Sequence, residues 1–301
     1  MAALIEITDD AKKIWQSMMV LCNNNAYAAA GILGNLCCES GIKPMNLQNS
    51  YEKKLGMTDE EYTDKTDSGQ YKNFATDGAG YGIAQWTFKS RKQNMLAAAR
   101  SFGMSIGDIN FQIYYLCMEL QNYSELLAKL RSAETIYQAS TYFLTIYEKP
   151  SNITDRKKET RYAYSNAYYE KLKDCMPDSE TIIAEDYYVL KRGSRGDDVR
   201  TLQGNLMELG YSLPDPGVDG VYGRATADAV KRFQKDACLY ADGIAGALTQ
   251  DVLLNELIKK YHEDEDKPSY VVTISGLSEE EANALFEAYQ QYPVTMEEEK
   301  E

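Results

Sequence analysis

The stretch "VDGVYGRATADAV" at 218–230 returns as "ADGIAGALTQDVL" at 241–253. Both follow the pattern Asp-Gly-[Val/Ile]-x-Gly-x-x-Thr, twenty-three residues apart. An Asp-Gly pair makes a tight turn at small steric cost, and the threonine then leads into a helix. Self-similarity on this scale marks one supersecondary unit used twice. A preceding helical stretch, "GSRGDDVRTLQGNLMELGY", completes a three-helix module placed at 187–260.

Upstream, residues 1–173 read as a larger helical domain. "AKKIWQSMMVL" spaces Ile14, Met18 and Leu21 on one face, with Thr8 and Asp9-Asp10 as a start signal. "AYAAAGILGNLCCES" is more uniformly apolar and stops at Gly41, with Pro44 beyond. "SRKQNMLAAARSFG", "INFQIYYLCMELQ", "SELLAKLR", "AETIYQASTYFLTIYE" and "DRKKETRYAYSNAYYEKLK" continue the helical pattern. Between the second and third helices, residues 45–87 read as a long polar loop ending in "DGAGYGIAQWT". A loop of that length in a compact domain is more often functional than idle. Residues 174–186 read as a linker and 261–301 as an acidic linker with a short β-α tail. That tail has a strand at "YVVTIS" and a helix capped by Ser278 with Glu281. The expected class is mainly α.

The net charge is −14, which argues against a nucleic-acid partner. Twelve acidic and two basic residues lie in 262–301, so that segment carries −10 and the rest of the chain only −4. No stretch approaches eighteen apolar residues, so no membrane span is expected. "MAALIEITDDAKK" has neither a basic nor an apolar leader region, so synthesis in a cytoplasm without a signal peptide is expected. The six cysteines form no Cys-x-x-Cys and no framework, so free, mostly buried thiols are expected. His262 is the only histidine and falls in a charged segment read as linker. Zinc amidases and zinc peptidases usually need two or more histidine ligands, and Cys-His or Ser-His hydrolases need a histidine beside the nucleophile. No metal and no cofactor are expected, and carboxylates are left to do any chemistry.

"GILGNLCCESGIKP" then raises a choice. Glu39 is either a solvated carboxylate near a helix end or a catalytic acid. A carboxylate at a helix C-terminus faces the negative end of the dipole, which raises its pKa. Partial burial would do the same and keep a proton available. Cys37 and Cys38 beside it have no histidine to activate them.

Three stretches in order carry a resemblance: "GILGNLCCESGIKPMNLQN" (31–49), "GAGYGIAQWT" (78–87) and "FLTIYEKPSNITDR" (143–156). Together they resemble the phage tail-type lysozyme family, with its lysozyme-like, lytic-transglycosylase-related fold. The repeat module, over about 187–255, resembles the peptidoglycan-binding domain type 1, including Leu202-Gln203 and Phe233-Gln234.

The first resemblance implies Glu39 as catalytic acid. It also implies substrate contacts from the middle motif, with Tyr81, Gln85, Trp86 and Thr87 as candidates and Ser40 beside Glu39. Tyr81 and Trp86 can stack on sugars or fill the core. Glu148 can line the cleft or pair with Arg156 or Arg161, and the structural role is favoured. Asp67 and Asp77 can orient water or shape turns.

The implied activity is cleavage of the MurNAc–GlcNAc β-1,4 bond of bacterial peptidoglycan by an N-acetylmuramidase-type hydrolase. A lytic transglycosylase is the alternative chemistry. The implied setting is a phage endolysin for host lysis, against a virion-borne lysin for entry or a catalytically dead wall-binding protein. Peptidoglycan is the expected partner, and the tail is expected to pack on the body or pair with another copy of the chain.

Overall fold

A computed structural model describes residues 5–178, 181, 189–214 and 216–265, with the side chains of 262–265 excepted. Much of the expected linker and the whole β-α segment after 265, with any pairing it would offer, lie outside the described residues. The chain divides into two compact units, Met1–Lys259 and Lys260–Glu301.

Helices account for nearly all regular structure in the first unit. Its β pairing among the described residues is limited to isolated bridges. The protein is mainly α. Helix α1 (Asp9–Leu21) starts where the Thr8 hydroxyl accepts the Ala11 N–H, and α2 (Ala26–Ser40) starts where Asn25 accepts from Tyr27 and Ala28. Helix α2 ends at Gly41, whose φ of 65° is the left-handed conformation that glycine adopts freely.

Being apolar on nearly all sides, α2 is the central helix of its domain, and residues 28–36 are all buried. It packs against α1, α8 (Ile136–Tyr142) and α9 (Asp155–Leu172). Two glycines set the distance. A Cβ on Gly31 would lie 2.6 Å from the Ser140 nitrogen of α8, and one on Gly34 would lie 2.4 Å from the Ser165 nitrogen of α9. Glycine allows the backbones to meet at this spacing.

Residues 45–87 are not a structureless loop. They hold α3 (Asn49–Leu55) and α4 (Asp59–Asp67), the latter opened by a reciprocal capping box between Thr58 and Glu61. Their order comes from a buried polar network rather than an apolar stripe. Lys92, fully buried, donates to Asp77 (2.7 Å), the Tyr62 hydroxyl (2.8 Å) and the Ala79 carbonyl (2.9 Å). Lys92 comes from α5 (Lys89–Phe102), which precedes α6 (Ile109–Gln121) and α7 (Ser124–Arg131). "AETIYQASTYFLTIYE" is not one helix. It is α8 followed by a π-helical segment, Phe143–Glu148, that ends on Lys149 at φ 48°.

The repeat module contributes α10 (Asp197–Glu208), α11 (Arg224–Asp236) and α12 (Ala247–Glu265). Each Asp-Gly turn is closed by a glutamine from the preceding helix. The Gln203 amide donates to Asp219, Val221 and Thr226 and accepts from the Gly220 N–H. Gln234 repeats the set with Asp242, Ile244, Thr249 and Gly243. The repeat is thus a hydrogen-bonding unit in which one buried amide satisfies a whole turn. Helix α12 runs past the expected boundary at 260, so the backbone at His262 is helical rather than linker.

Candidate functional site

Glu39 is the penultimate residue of α2, and its side chain is 30% exposed. Arg161, in the second turn of α9, reaches it with Nη2. The same guanidinium donates from Nε (3.1 Å) and Nη2 (2.8 Å) to one oxygen of Glu148, the last residue of the π-helical segment. Glu148 is much less accessible, at 8%, and its Oε1 is buried without a hydrogen-bond partner. Burial and then the charge of Glu39 push the Glu148 carboxyl up to about 7, against the pull of Arg161. Two carboxyls and one guanidinium, from α2, the π segment and α9, therefore meet at one place.

The cysteines beside Glu39 are held as neutral thiols. Burial pushes the Cys38 thiol up to about 12 and also raises Cys37, which pairs with Tyr168. All six cysteines are free. Only Cys22 and Cys117 are fully buried, so the expectation of mostly buried thiols is corrected: Cys37, Cys38 and Cys175 are half-buried and Cys238 is exposed.

The middle motif divides into a scaffold and a rim. Ser40 is buried: its hydroxyl donates toward the Ile83 (2.8 Å) and Leu36 (3.1 Å) carbonyls and accepts from the Ile42 N–H. It ties the end of α2 to the glycine-rich motif. Tyr81 and Trp86, as the structure places them, are fully enclosed and offer no face for a sugar. Tyr81 packs among Tyr62 and Phe74 and shares a 2.6 Å hydrogen bond with Thr63. Trp86 packs edge-on against Tyr115, and its indole N–H donates to Glu119 at 2.7 Å. An aromatic ring that finds a partner for its polar tip is stable inside a core, and sequence spacing alone does not separate that from a stacking role.

Gln85 is half-buried with φ 47°, and its amide donates to both oxygens of Asn46 and to the Gly82 carbonyl. Thr87 is exposed, its hydroxyl donating to the Gln85 carbonyl. Asp77 accepts from Lys92, Tyr62, Tyr71 and the Ala79 N–H. Asp67 accepts from Ser105 and the Ile106 N–H. Both aspartates are thus occupied by fold-building contacts.

One residue absent from the sequence reading links two of the motifs. Glu119, fully committed inside α6, takes Nε and Nη2 of Arg91 (2.8 and 2.7 Å), the Trp86 indole and the Tyr147 hydroxyl (2.6 Å). Burial alone would raise its pKa, but Arg91's charge and the donated hydrogen bonds outweigh that and hold it below the usual carboxylate range. Tyr147 immediately precedes Glu148, so the anchor beneath the Gln-Trp-Thr motif also fixes the segment carrying Glu148. The available signal was a lone glutamate inside the apolar run "YYLCMEL".

The family profile described as phage tail lysozyme matches residues 9–172, more than half of the chain. The chain belongs to the phage tail lysozyme family. A second profile, for a peptidoglycan-binding domain, matches residues 195–253. Among curated proteins, the chain is 45% identical over 65 residues to the N-acetylmuramoyl-L-alanine amidase CwlL of Bacillus licheniformis, covering 22% of this chain and 18% of that protein. It is 43% identical over 77 residues to the spore cortex-lytic enzyme of Bacillus subtilis (strain 168), covering 25% of each. The chain thus spans about a fifth to a quarter of the length of these relatives. The shared stretches are too short to contain the lysozyme-like span. No solved structure matches this chain at a significant level. Among the described residues, no helix is long and apolar enough to cross a membrane, and no group of histidine, cysteine and acidic side chains is placed to hold a metal ion.

Proposed function

We propose that this chain degrades bacterial peptidoglycan by cutting the MurNAc–GlcNAc β-1,4 bond, with Glu39 as general acid. The observation that carries this reading is the position of Glu39. It closes the central helix of a phage tail lysozyme domain, it is partly exposed, and a guanidinium and a second carboxyl stand behind it. A carboxyl so placed can donate a proton to the glycosidic oxygen while its environment controls when the proton is held. Gln85 and Thr87 stand at the accessible edge of the middle motif and are the proposed sugar contacts. Ser40, Tyr81 and Trp86 act behind them by fixing that edge. The peptidoglycan-binding module keeps the enzyme on its insoluble substrate, an arrangement that raises local concentration without any new contact at the active site.

Mass spectrometry of digested muropeptides tests the bond. New reducing-end N-acetylmuramic acid is expected from hydrolysis, and new free amines without reducing ends would overturn the glycosidase reading in favour of an amidase or peptidase. The occupied state of Asp67 and Asp77 favours a second reading of the same cleavage. With neither free to orient water, the muramic acid 6-hydroxyl can attack instead, and the product is then an anhydro sugar. Loss of turbidity of wall suspensions with wild type but not with Glu39→Gln is the matching test of the acid. The setting that best fits a wall-cutting domain joined to a wall-binding module is host lysis by a phage endolysin. Detection of the chain in purified virions would move it to entry.

A further inference from the structure

A general acid must hold a proton, yet Glu39 is ion-paired with Arg161. A single guanidinium beside a single carboxylate favours the ionised form. The second carboxyl changes that balance. Arg161 carries one positive charge, and if both Glu39 and Glu148 were ionised the cluster would hold a net negative charge in a largely enclosed place. The more buried member is the one for which ionisation is least favourable, and Glu148 Oε1 has no donor to stabilise a negative oxygen. The titratable groups facing Glu148 are Glu39 and Cys38 on α2 and Arg161 on α9. The Cys38 thiol is neutral throughout the relevant range and the Arg161 guanidinium stays charged, which leaves two carboxyls beside one fixed positive charge.

Taking Glu39 as the acid, we propose that Glu148 is a positioning residue: with Arg161 it forms a two-carboxyl, one-guanidinium cluster that retains one shared proton at neutral pH and makes it available to Glu39. The proton belongs to the pair rather than to either residue. When it resides on Glu39, Arg161 compensates the charge left on Glu148. Glu39 then gives it to the glycosidic oxygen as the C–O bond breaks; the oxygen of a water or of the muramic acid 6-hydroxyl bonds to the anomeric carbon, and the proton it releases returns to the carboxyl pair. The geometry serves this arrangement. Glu148 ends a π-helical segment, a local distortion that occurs often at functional sites, and the preceding Tyr147 is pinned by Glu119. A helix continued in α geometry would turn residue 148 to a different face.

The test is the pH profile of kcat/KM, measured on the full-length protein by reducing-end release from purified peptidoglycan between about pH 4 and about pH 9. Glu148→Gln keeps the size of the side chain but leaves Glu39 alone with Arg161. Its alkaline limb is expected to move to lower pH by roughly one unit or more, with about tenfold loss at neutral pH and recovery in acid. Glu148→Asp is expected to retain part of the limb. A uniform loss at every pH, or an unmoved limb, would overturn the proposal and leave Glu148 a purely structural partner of Arg161.

A second measurement does not depend on turnover. Carbon-13 spectra of protein labelled at glutamate carboxyls are expected to show one resonance titrating near neutral pH in wild type and none there in Glu148→Gln. Absence of such a resonance in the wild type would also overturn the proposal. If Glu39→Gln still cleaves glycan while the resonance is present, the assignment of the acid has failed and the shared proton has not.

Discussion

At the scale of single residues, neighbours in sequence have separate duties. Cys37, Cys38 and Glu39 follow one another at the end of α2, but only Glu39 has both exposure and a charged partner. With Cys38 pushed up to about 12 by burial, a thiolate is essentially absent at neutral pH. The double variant Cys37→Ala, Cys38→Ala should therefore keep turnover and lose stability, by about 1–2 kcal/mol for two half-buried sulfurs. Steady-state rates and a urea melt on the same preparation check this. Loss of turnover in a folded double variant would return the thiols to the chemistry. The place of Glu39 near the end of α2, just before Gly41, is legible in the sequence. Its partners are only half legible: Arg156 and Arg161 both lie near Glu148 in sequence, and no spacing rule joins residue 39 to 148 and 161.

At the scale of elements, helix starts and stops were the best-marked features, because capping is local. Thr8, Gly41, Gly103 and the repeated Asp-Gly turns all stand where a side chain or a left-handed glycine satisfies nearby backbone groups. What local signals cannot show is how closely helices approach. Gly34 allows α2 to meet α9 where a Cβ would lie 2.4 Å from a backbone nitrogen that cannot swing aside. Gly34→Ala should lower the urea midpoint by an amount equivalent to about 1–3 kcal/mol through overpacking, although alanine is the better helix former. A midpoint raised by the substitution would mean that the two helices are free to separate.

The order of the lobe between α2 and α5 is hidden from sequence for a related reason. Its order depends on Lys92, Asp77 and Tyr62 meeting inside, and charged residues in a polar stretch look like solvated surface. Glu119 shows the same blindness. Removing its charge leaves Arg91 buried and unpaired, so Glu119→Leu should cost about 3–5 kcal/mol in a denaturant melt. It should also loosen Tyr147 and Trp86 together. A well-folded variant with unchanged stability would show that the ion pair is replaceable by packing alone.

At the scale of the whole molecule, the wall-binding module docks on the lysozyme-like domain through polar groups. Tyr114 donates to Asp251, Asn255 bonds Ser101, Ser101 bonds Glu256, and Gln93 and Asn94 hold the backbone at 238–240. These side chains read as ordinary solvated surface, which is why the sequence suggested two bodies joined by a linker. The contact also carries a pH signature. Burial raises Asp251 from 3.8 to about 6, and Glu148 stands raised from 4.5 to about 7. In each case the folded protein binds a proton more tightly than the unfolded chain. The resulting stabilisation is complete below the unfolded values and is lost as pH rises through about 6 and about 7. Glu119 acts in the opposite sense: its folded pKa is lowered, so its contribution is present above 4.5 and is lost only as pH falls through its depressed value. The two effects occupy different windows. Between about pH 5 and about pH 8, Asp251 and Glu148 lose the protons that the folded protein holds, so their contribution to stability should fall with rising pH. Urea midpoints measured across that interval should decline for wild type. The slope should shrink at its lower end in Asp251→Asn and at its upper end in Glu148→Gln. A flat profile in wild type would mean that neither group is held protonated by its surroundings, and both the docking contact and the shared proton would have to be reconsidered together.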